Sequence, residues 1–142
     1  MKSQILKISI VGRTNAGKST LINKIIGEKI SIQNKKINTT QEMIIGIKNI
    51  KNTQILFYDT PGSNFLKNSN NQSKKLKQNL WNGIDESDLI LYMIDSHALN
   101  MRFLYDQIDK IKEVNKKIFI IFNKIDLISR KKLLPIISEI NN

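Results

Sequence analysis

The chain contains no cysteine in 142 residues, which excludes a disulfide framework and any thiolate metal site. Histidine is almost as scarce. His97 is the only one, with no second imidazole and no nucleophile beside it, so histidine-based catalysis is not expected. No apolar run approaches the ~18–20 residues needed to cross a bilayer. The start, Met1-Lys2-Ser3-Gln4, leads straight into an apolar strand-like run and has no signal-peptide pattern. Internal repeats and linkers are also missing. The length is ample for one hydrophobic core and short for two, so residues 1–142 are expected to form one soluble domain in a reduced, cytoplasmic setting.

What is abundant is positive charge, a net +11. Lysine outnumbers arginine 20 to 3, and Lys, Ile and Asn together make up nearly half of the chain, a skew that AT-rich coding gives whatever the function. The lysine pairs at 35–36, 74–75, 116–117 and 131–132 are scattered and lack interleaved aromatics for base stacking. They read mainly as solvated faces, with non-specific attraction to RNA or anionic surfaces as a lesser contribution.

Specific chemistry begins at Gly12-Arg13-Thr14-Asn15-Ala16-Gly17-Lys18-Ser19, which fits G-x-x-x-x-G-K-S/T. The apolar run Ile5–Val11 precedes it, and Leu21, Ile22, Ile25 and Ile26 follow at helical spacing. Strand, glycine loop and helix is the arrangement in which backbone N–H groups and a helix N-terminus cradle nucleotide phosphates. Lys18 would reach the β- and γ-phosphates, and the Ser19 hydroxyl would bind Mg²⁺. About a hundred residues later comes Asn123-Lys124-Ile125-Asp126, behind the apolar run Ile118–Phe122. The Asp126 carboxylate can accept from guanine N1–H and the 2-amino group together; adenine offers neither donor. Asn123 would tie this loop to the phosphate loop, and the Lys124 stem would lie along the base.

Between these motifs, Ile55-Leu56-Phe57-Tyr58 reads as a buried strand ending in Asp59-Thr60-Pro61-Gly62. Asp59 can hold the Mg²⁺ hydration shell, and the Gly62 N–H can meet a γ-phosphate. Thr39-Thr40 lies in a polar stretch after the first helix. A threonine there can complete the Mg²⁺ shell only while the γ-phosphate is present; Thr40 is favoured, and Thr39 stays open. The Asn/Ser-rich stretch 63–73 reads both as a surface loop and as a second switch tethered through Gly62.

Coarse periodicity completes the architecture. Met43–Ile50 and Thr53–Tyr58 read as an antiparallel hairpin turning at Lys51-Asn52. Leu76, Leu80 and Ile84 mark a helix in which Trp81 packs, Asp88–Asp95 reads as a strand covered on both faces, and Phe103, Leu104, Ile108, Ile111 and Val114 mark another helix. The alternation predicts an α/β fold of P-loop NTPase type: a mostly parallel sheet with one antiparallel strand, helices on both faces, and the functional loops at the strand carboxyl ends.

With these four motifs in this order, the chain resembles the Era-type GTPases of the TrmE–Era–EngA group. The segments Lys24–Ile32 and Thr40–Ile47, and Leu133-Leu134-Pro135, point to the Era type. The resemblance implies a nucleotide site of Gly12, Asn15, Ala16, Gly17, Lys18, Ser19, Thr20, Asp59, Gly62, Asn123, Lys124 and Asp126. It implies Mg²⁺ held by Ser19, Thr40 and Asp59, and GTP hydrolysis carried by Lys18, Thr40 and Asn15. In relatives with asparagine at the place of Asn15, its side-chain oxygen ligates K⁺ beside the phosphates, so K⁺ is a second expected cofactor. Expected partners are GTP, GDP, 16S rRNA and the small ribosomal subunit. The expected location is cytoplasmic, with peripheral association at the inner face of the cell membrane.

Departures from the family pattern are Thr14 for Pro, Gln41 for Arg, and Ser63 for an apolar residue. Ser63 also stands where many GTPases carry a water-orienting glutamine. A complete member continues to a last strand, a Ser-Ala loop touching guanine O6, a final helix and a KH RNA-binding domain. Ser138-Glu139 falls within the helical spacing Leu133, Ile136, Ile137, Ile140 and is not that loop. The expectation is thus a GTPase domain lacking its last strand and helix. Two readings stay open: a GTP-driven switch on ribosomal RNA, shared in motifs with the tRNA-modifying and tandem-domain GTPases, and a truncated, largely inactive fragment.

Overall fold

The computed structural model of the protein describes residues 4–27, 44–63 and 71–141. Its elements are β1 (Gln4–Gly12), α1 (Lys18–Ile26), β2 (Ile44–Ile50), β3 (Thr53–Asp59), α2 (Asn71–Glu86), β4 (Leu89–Asp95), α3 (Met101–Lys112), β5 (Lys117–Asn123), a 3-10 turn (Ile125–Leu127) and α4 (Arg130–Asn141). Thr39, Thr40 and the polar stretch at 64–70 lie outside the described residues.

The sheet runs in the order β2-β3-β1-β4-β5. β2 and β3 are antiparallel and meet at Ile50↔Thr53. The two-residue turn uses Lys51 at φ 51°, a left-handed conformation that suits the twist of a tight hairpin. The other three pairings are parallel. Register decides where the chemistry lies: Ile10 pairs with Asp59, Gly12 with Met93, and Asp95 with Asn123. The carboxyl ends of β1, β3, β4 and β5 therefore open on one edge, the crevice side of such sheets.

Strand alternation sends side chains to two layers. On one face Ile8, Ile10, Phe57 and Met93 pack with Ile22 of α1. A Cβ at Gly46 would collide with the Ile22 and Ile26 side chains, so glycine lets α1 lie close against β2. On the other face Val11, Ile90, Tyr92 and Ile94 meet Leu80 and Ile84 of α2 and Leu104, Ile108 and Ile111 of α3. Trp81 packs at the edge of this cluster. The central strands are covered on both sides, but Phe119 of β5 is 45% exposed and Ile5 58% exposed. α1 packs over β2, β3 and β1 and does not reach Phe119 on its own side of the sheet; Ile5 lies on the opposite side, with Ser9 and Val11.

Individual residues set the helix ends. Asn100 caps α3, its side chain accepting from the Phe103 N–H at 3.0 Å, a contact of about 1 kcal/mol. Lys116 closes the C-terminus of α2: its ammonium donates to the carbonyls of Ile84 (2.6 Å), Asp85 and Ser87 (2.6 Å). Asp88 precedes β4 instead of starting it. Its carboxylate accepts from the Lys7 N–H at 2.7 Å while its own N–H donates to the Lys7 carbonyl at 2.8 Å, which stitches the loop to β1. α4 carries Pro135 internally and is held to α3 by Tyr105 donating to Glu139 at 2.8 Å. Ser138 and Glu139 lie inside this helix, as their spacing predicts.

Candidate functional site

The loop between β1 and α1 turns through three special backbone positions. Gly12 passes so near the Met93 carbonyl that no Cβ fits, Asn15 has φ 64°, and Gly17 has φ 102° with the Asn123 amide where a side chain would be. Ala16 is fully buried and its N–H donates to the Arg13 carbonyl at 3.2 Å. Lys18 is only 7% exposed and folds over the loop, donating to the carbonyls of Gly12 (3.1 Å) and Arg13 (2.9 Å). Burial pushes its ammonium below the usual lysine range, and the nearby Asp59 carboxylate offsets part of that. A desolvated cation on a ring of backbone groups is poised for an anion.

A cavity of about 370 Å³ opens beside this loop. Asn15, Lys18, Ser19, Asp59 and Gly62, all expected site residues, line it together with Thr14, Tyr58, Thr60, Pro61, Asn79 and Gly83. The Ser19 hydroxyl donates to Asp59 Oδ2, so a hydroxyl and a carboxylate from α1 and β3 share one point. Two hard oxygen donors side by side suit Mg²⁺. The Thr60 hydroxyl donates to the Ile10 carbonyl at 2.7 Å, which fixes the loop after β3. Gly62 approaches Thr14 closely enough that any side chain there would strike it.

The second expected cluster is joined to the first. Asn123 donates to the Ala16 carbonyl at 2.9 Å across 107 residues of sequence. Lys124, at φ 57°, donates to the Asn15 carbonyl at 2.8 Å and to Asp95 Oδ2 at 2.6 Å. Asp95 also accepts from the N–H groups of His97 and Ala98. Burial raises the Asp95 carboxyl, but Lys124 and those two N–H groups outweigh it and hold the group below the usual aspartate range. Asp126 lies on the 3-10 turn, exposed, and is not among the residues lining the cavity. Thr20 is exposed on the first turn of α1.

Sequence reasoning missed three participants. Asp95 orients Lys124; its signal was an acid at a strand end, like Asp59. Arg13 donates to the Ala98 carbonyl at 3.3 Å and stands 5.1 Å over the Phe103 ring, bracing the phosphate loop on α3. Asn79 had no signal at all. Ser63 is also placed unexpectedly: it is fully buried, outside the lining of the cavity, and its Oγ completes no hydrogen bond among the described residues. It lies near enough to influence the Tyr92 phenol, which burial pushes up to about 12.

Comparison with known proteins agrees with this geometry. GTPase Era of Buchnera aphidicola is 47% identical over 134 residues, covering 92% of this chain and 46% of that protein. GTPase Era of Rickettsia akari is 38% identical over 125 residues, 88% of this chain and 42% of the relative. The chain thus spans about half the length of the curated relatives it matches. Among solved structures, Era in complex with MgGDPNP and nucleotides 1506–1542 of 16S ribosomal RNA aligns with a TM-score of 0.75 and 36% identity, covering 96% of this chain and 46% of that one. The G domain of the T. maritima FeoB iron transporter aligns at 0.67 with 26% identity, covering 95% and 84%. The family model described as 50S ribosome-binding GTPase matches residues 7–124. The chain belongs to the 50S ribosome-binding GTPase family.

Proposed function

We propose that this chain binds GTP and GDP, hydrolyses GTP to GDP and phosphate, and serves as the nucleotide-driven switch of a protein acting on 16S rRNA in small ribosomal subunit assembly. The observation that carries the nucleotide reading is the pair of bonds from Asn123 to Ala16 and from Lys124 to Asn15. They hold the loop bearing Asp126 against the phosphate loop, so one ligand with a guanine at one end and phosphates at the other meets both. The rRNA partner rests on the Era structure that holds that RNA, and the cytoplasmic location on the relatives' class. Among the described residues no helix is long and apolar enough to cross a membrane.

In this reading Lys18 exchanges its loop carbonyls for β- and γ-phosphate oxygens, and Gly62 offers its N–H to the γ-phosphate. Ser19 and Asp59, with Thr40, would hold Mg²⁺, which supplies positive charge to the phosphate oxygens when bound. Asn15 would hold K⁺ beside the phosphates. Binding of GTP, GDP and ATP by the purified chain, followed by fluorescent-nucleotide displacement with Mg²⁺, tests the proposal. GTP and GDP are expected to displace the probe at concentrations at least about 100-fold below ATP, the discrimination that unpaired charged hydrogen bonds produce. Equal displacement by ATP overturns it.

A further inference from the structure

We propose that Asn79 is a positioning residue for GTP hydrolysis: its Oδ1 holds the water that attacks the γ-phosphate. The inference rests on the GTPase reading above. It starts from a gap in that site. Many GTPases orient the water with a side chain just after the glycine that meets the γ-phosphate. Here that residue is Ser63, which is fully buried and does not line the cavity. The position cannot serve.

The cavity itself contains a replacement. Its lining acceptors and donors are largely engaged: Ser19 with Asp59, Thr60 with the Ile10 carbonyl, Lys18 with two loop carbonyls. Tyr58 is a neutral phenol held above its usual range by burial and by the nearby Glu86 carboxylate. Asn79 differs. Its Oδ1 is buried and has no partner among the described residues, and the residue lines the same cavity as Lys18, Asp59 and Gly62. A buried amide oxygen left unpaired is costly, and in a polar cavity of this size water is the natural partner. The helix geometry sets which face it lies on. One turn further along α2, the Gly83 carbonyl accepts from the Ser9 hydroxyl of β1 at 2.5 Å, so this face of the helix is pinned toward the sheet.

A water donating one hydrogen to Asn79 Oδ1 keeps its lone pair free for the phosphorus. In the reaction the water oxygen bonds to the γ-phosphorus as the bond from that phosphorus to the β–γ bridging oxygen breaks. GDP leaves with the bonding electrons, and the water proton passes to the released phosphate and on to solvent. Asn79 takes no proton; it supplies direction.

The test is single-turnover GTP hydrolysis by wild type, Asn79→Leu and Asn79→Asp, with GDP affinity and melting temperature measured on each. Asn79→Leu keeps the side-chain volume and removes the unpaired oxygen, so it is expected to melt no lower than wild type, keep its GDP affinity, and lose about tenfold or more in hydrolysis rate. Asn79→Asp keeps an acceptor in place and should hydrolyse faster than the leucine variant. A structural role would move melting temperature and GDP affinity with the rate. An Asn79→Leu rate equal to wild type overturns the proposal, as does a rate loss matched by lost stability. A wild-type chain that binds GTP without turning it over also overturns it, while leaving the nucleotide site standing. Failure to bind guanine nucleotides counts instead against the GTPase reading.

Discussion

Ser19 of α1 and Asp59 of β3 are joined directly, hydroxyl to carboxylate, 40 residues apart in sequence. Each is the other's partner and a cation's rival. In the proposed site a divalent ion would take over these two oxygens, and losing either would weaken its hold. Ser19→Ala should therefore raise the Mg²⁺ concentration for half-maximal GTP binding by about tenfold, one charge-assisted contact's worth. Mg²⁺ titration at fixed GTP measures it, and an unchanged midpoint removes Ser19 from the metal site.

Asp126 stands exposed on its 3-10 turn, open to a base edge. Asp126→Asn replaces an acceptor pair with one acceptor and one donor. Guanine binding should fall by about 10–100-fold, while xanthine, whose 2-oxo group suits the new donor, should gain. Competition between GDP and XDP on both proteins reads the exchange directly.

Asn15 holds a left-handed backbone and borders the phosphate cavity. If its side chain carries K⁺, turnover should be faster in KCl than in NaCl, and Asn15→Ala should abolish that difference while GDP binding largely survives. Identical rates in both salts exclude the potassium role.

The strands, the hairpin at Lys51-Asn52 and the phosphate loop were legible because each is a local pattern: apolar runs, a two-residue turn, a glycine spacing. That Asn123 ties its loop to the phosphate loop was legible too, from the Asn123-Lys124-Ile125-Asp126 motif; that its partner is the Ala16 carbonyl was not. What escaped was everything decided by which way one side chain turns in three dimensions. Ser63 follows a loop glycine and reads as a switch residue, but β4 and its Tyr92 offer it a buried place. Asn79 is one of many asparagines in a biased composition, and only packing singles it out. Lys116 belongs to a scattered lysine pair that reads as solvent-facing; the end of α2 gives it three carbonyls.

The Asp95 carboxyl is held below its usual range by Lys124 and two backbone N–H groups, against the opposing effect of burial. A depressed folded-state pKa stabilises the fold above the unfolded value, near pH 4, and that contribution is lost as pH falls through the lower folded value. Asp95→Asn should thus be less stable than wild type by a constant margin from about pH 8 to 5, and the margin should shrink below about pH 4. Urea denaturation at pH 7 and pH 3 checks it; an equal margin at both removes Asp95 ionisation from the account.

Lys116→Met keeps the aliphatic stem and removes the ammonium from three carbonyls at the end of α2. A loss of about 1–3 kcal/mol is expected. It should appear as a lower urea midpoint at unchanged slope, with GDP affinity per folded molecule unaffected.

That lysine cap has a mechanical consequence. α2 is 16 residues long, about 24 Å at the usual helical rise, and it is clamped at its C-terminal end by Lys116 and one turn earlier by Ser9. Leu80 and Ile84 lie in the core beside these ties, so the helix from Leu80 onward is anchored to the sheet and works as a foundation. Asn79 stands where that anchored part begins, and its place beside the phosphate cavity is therefore set by the sheet.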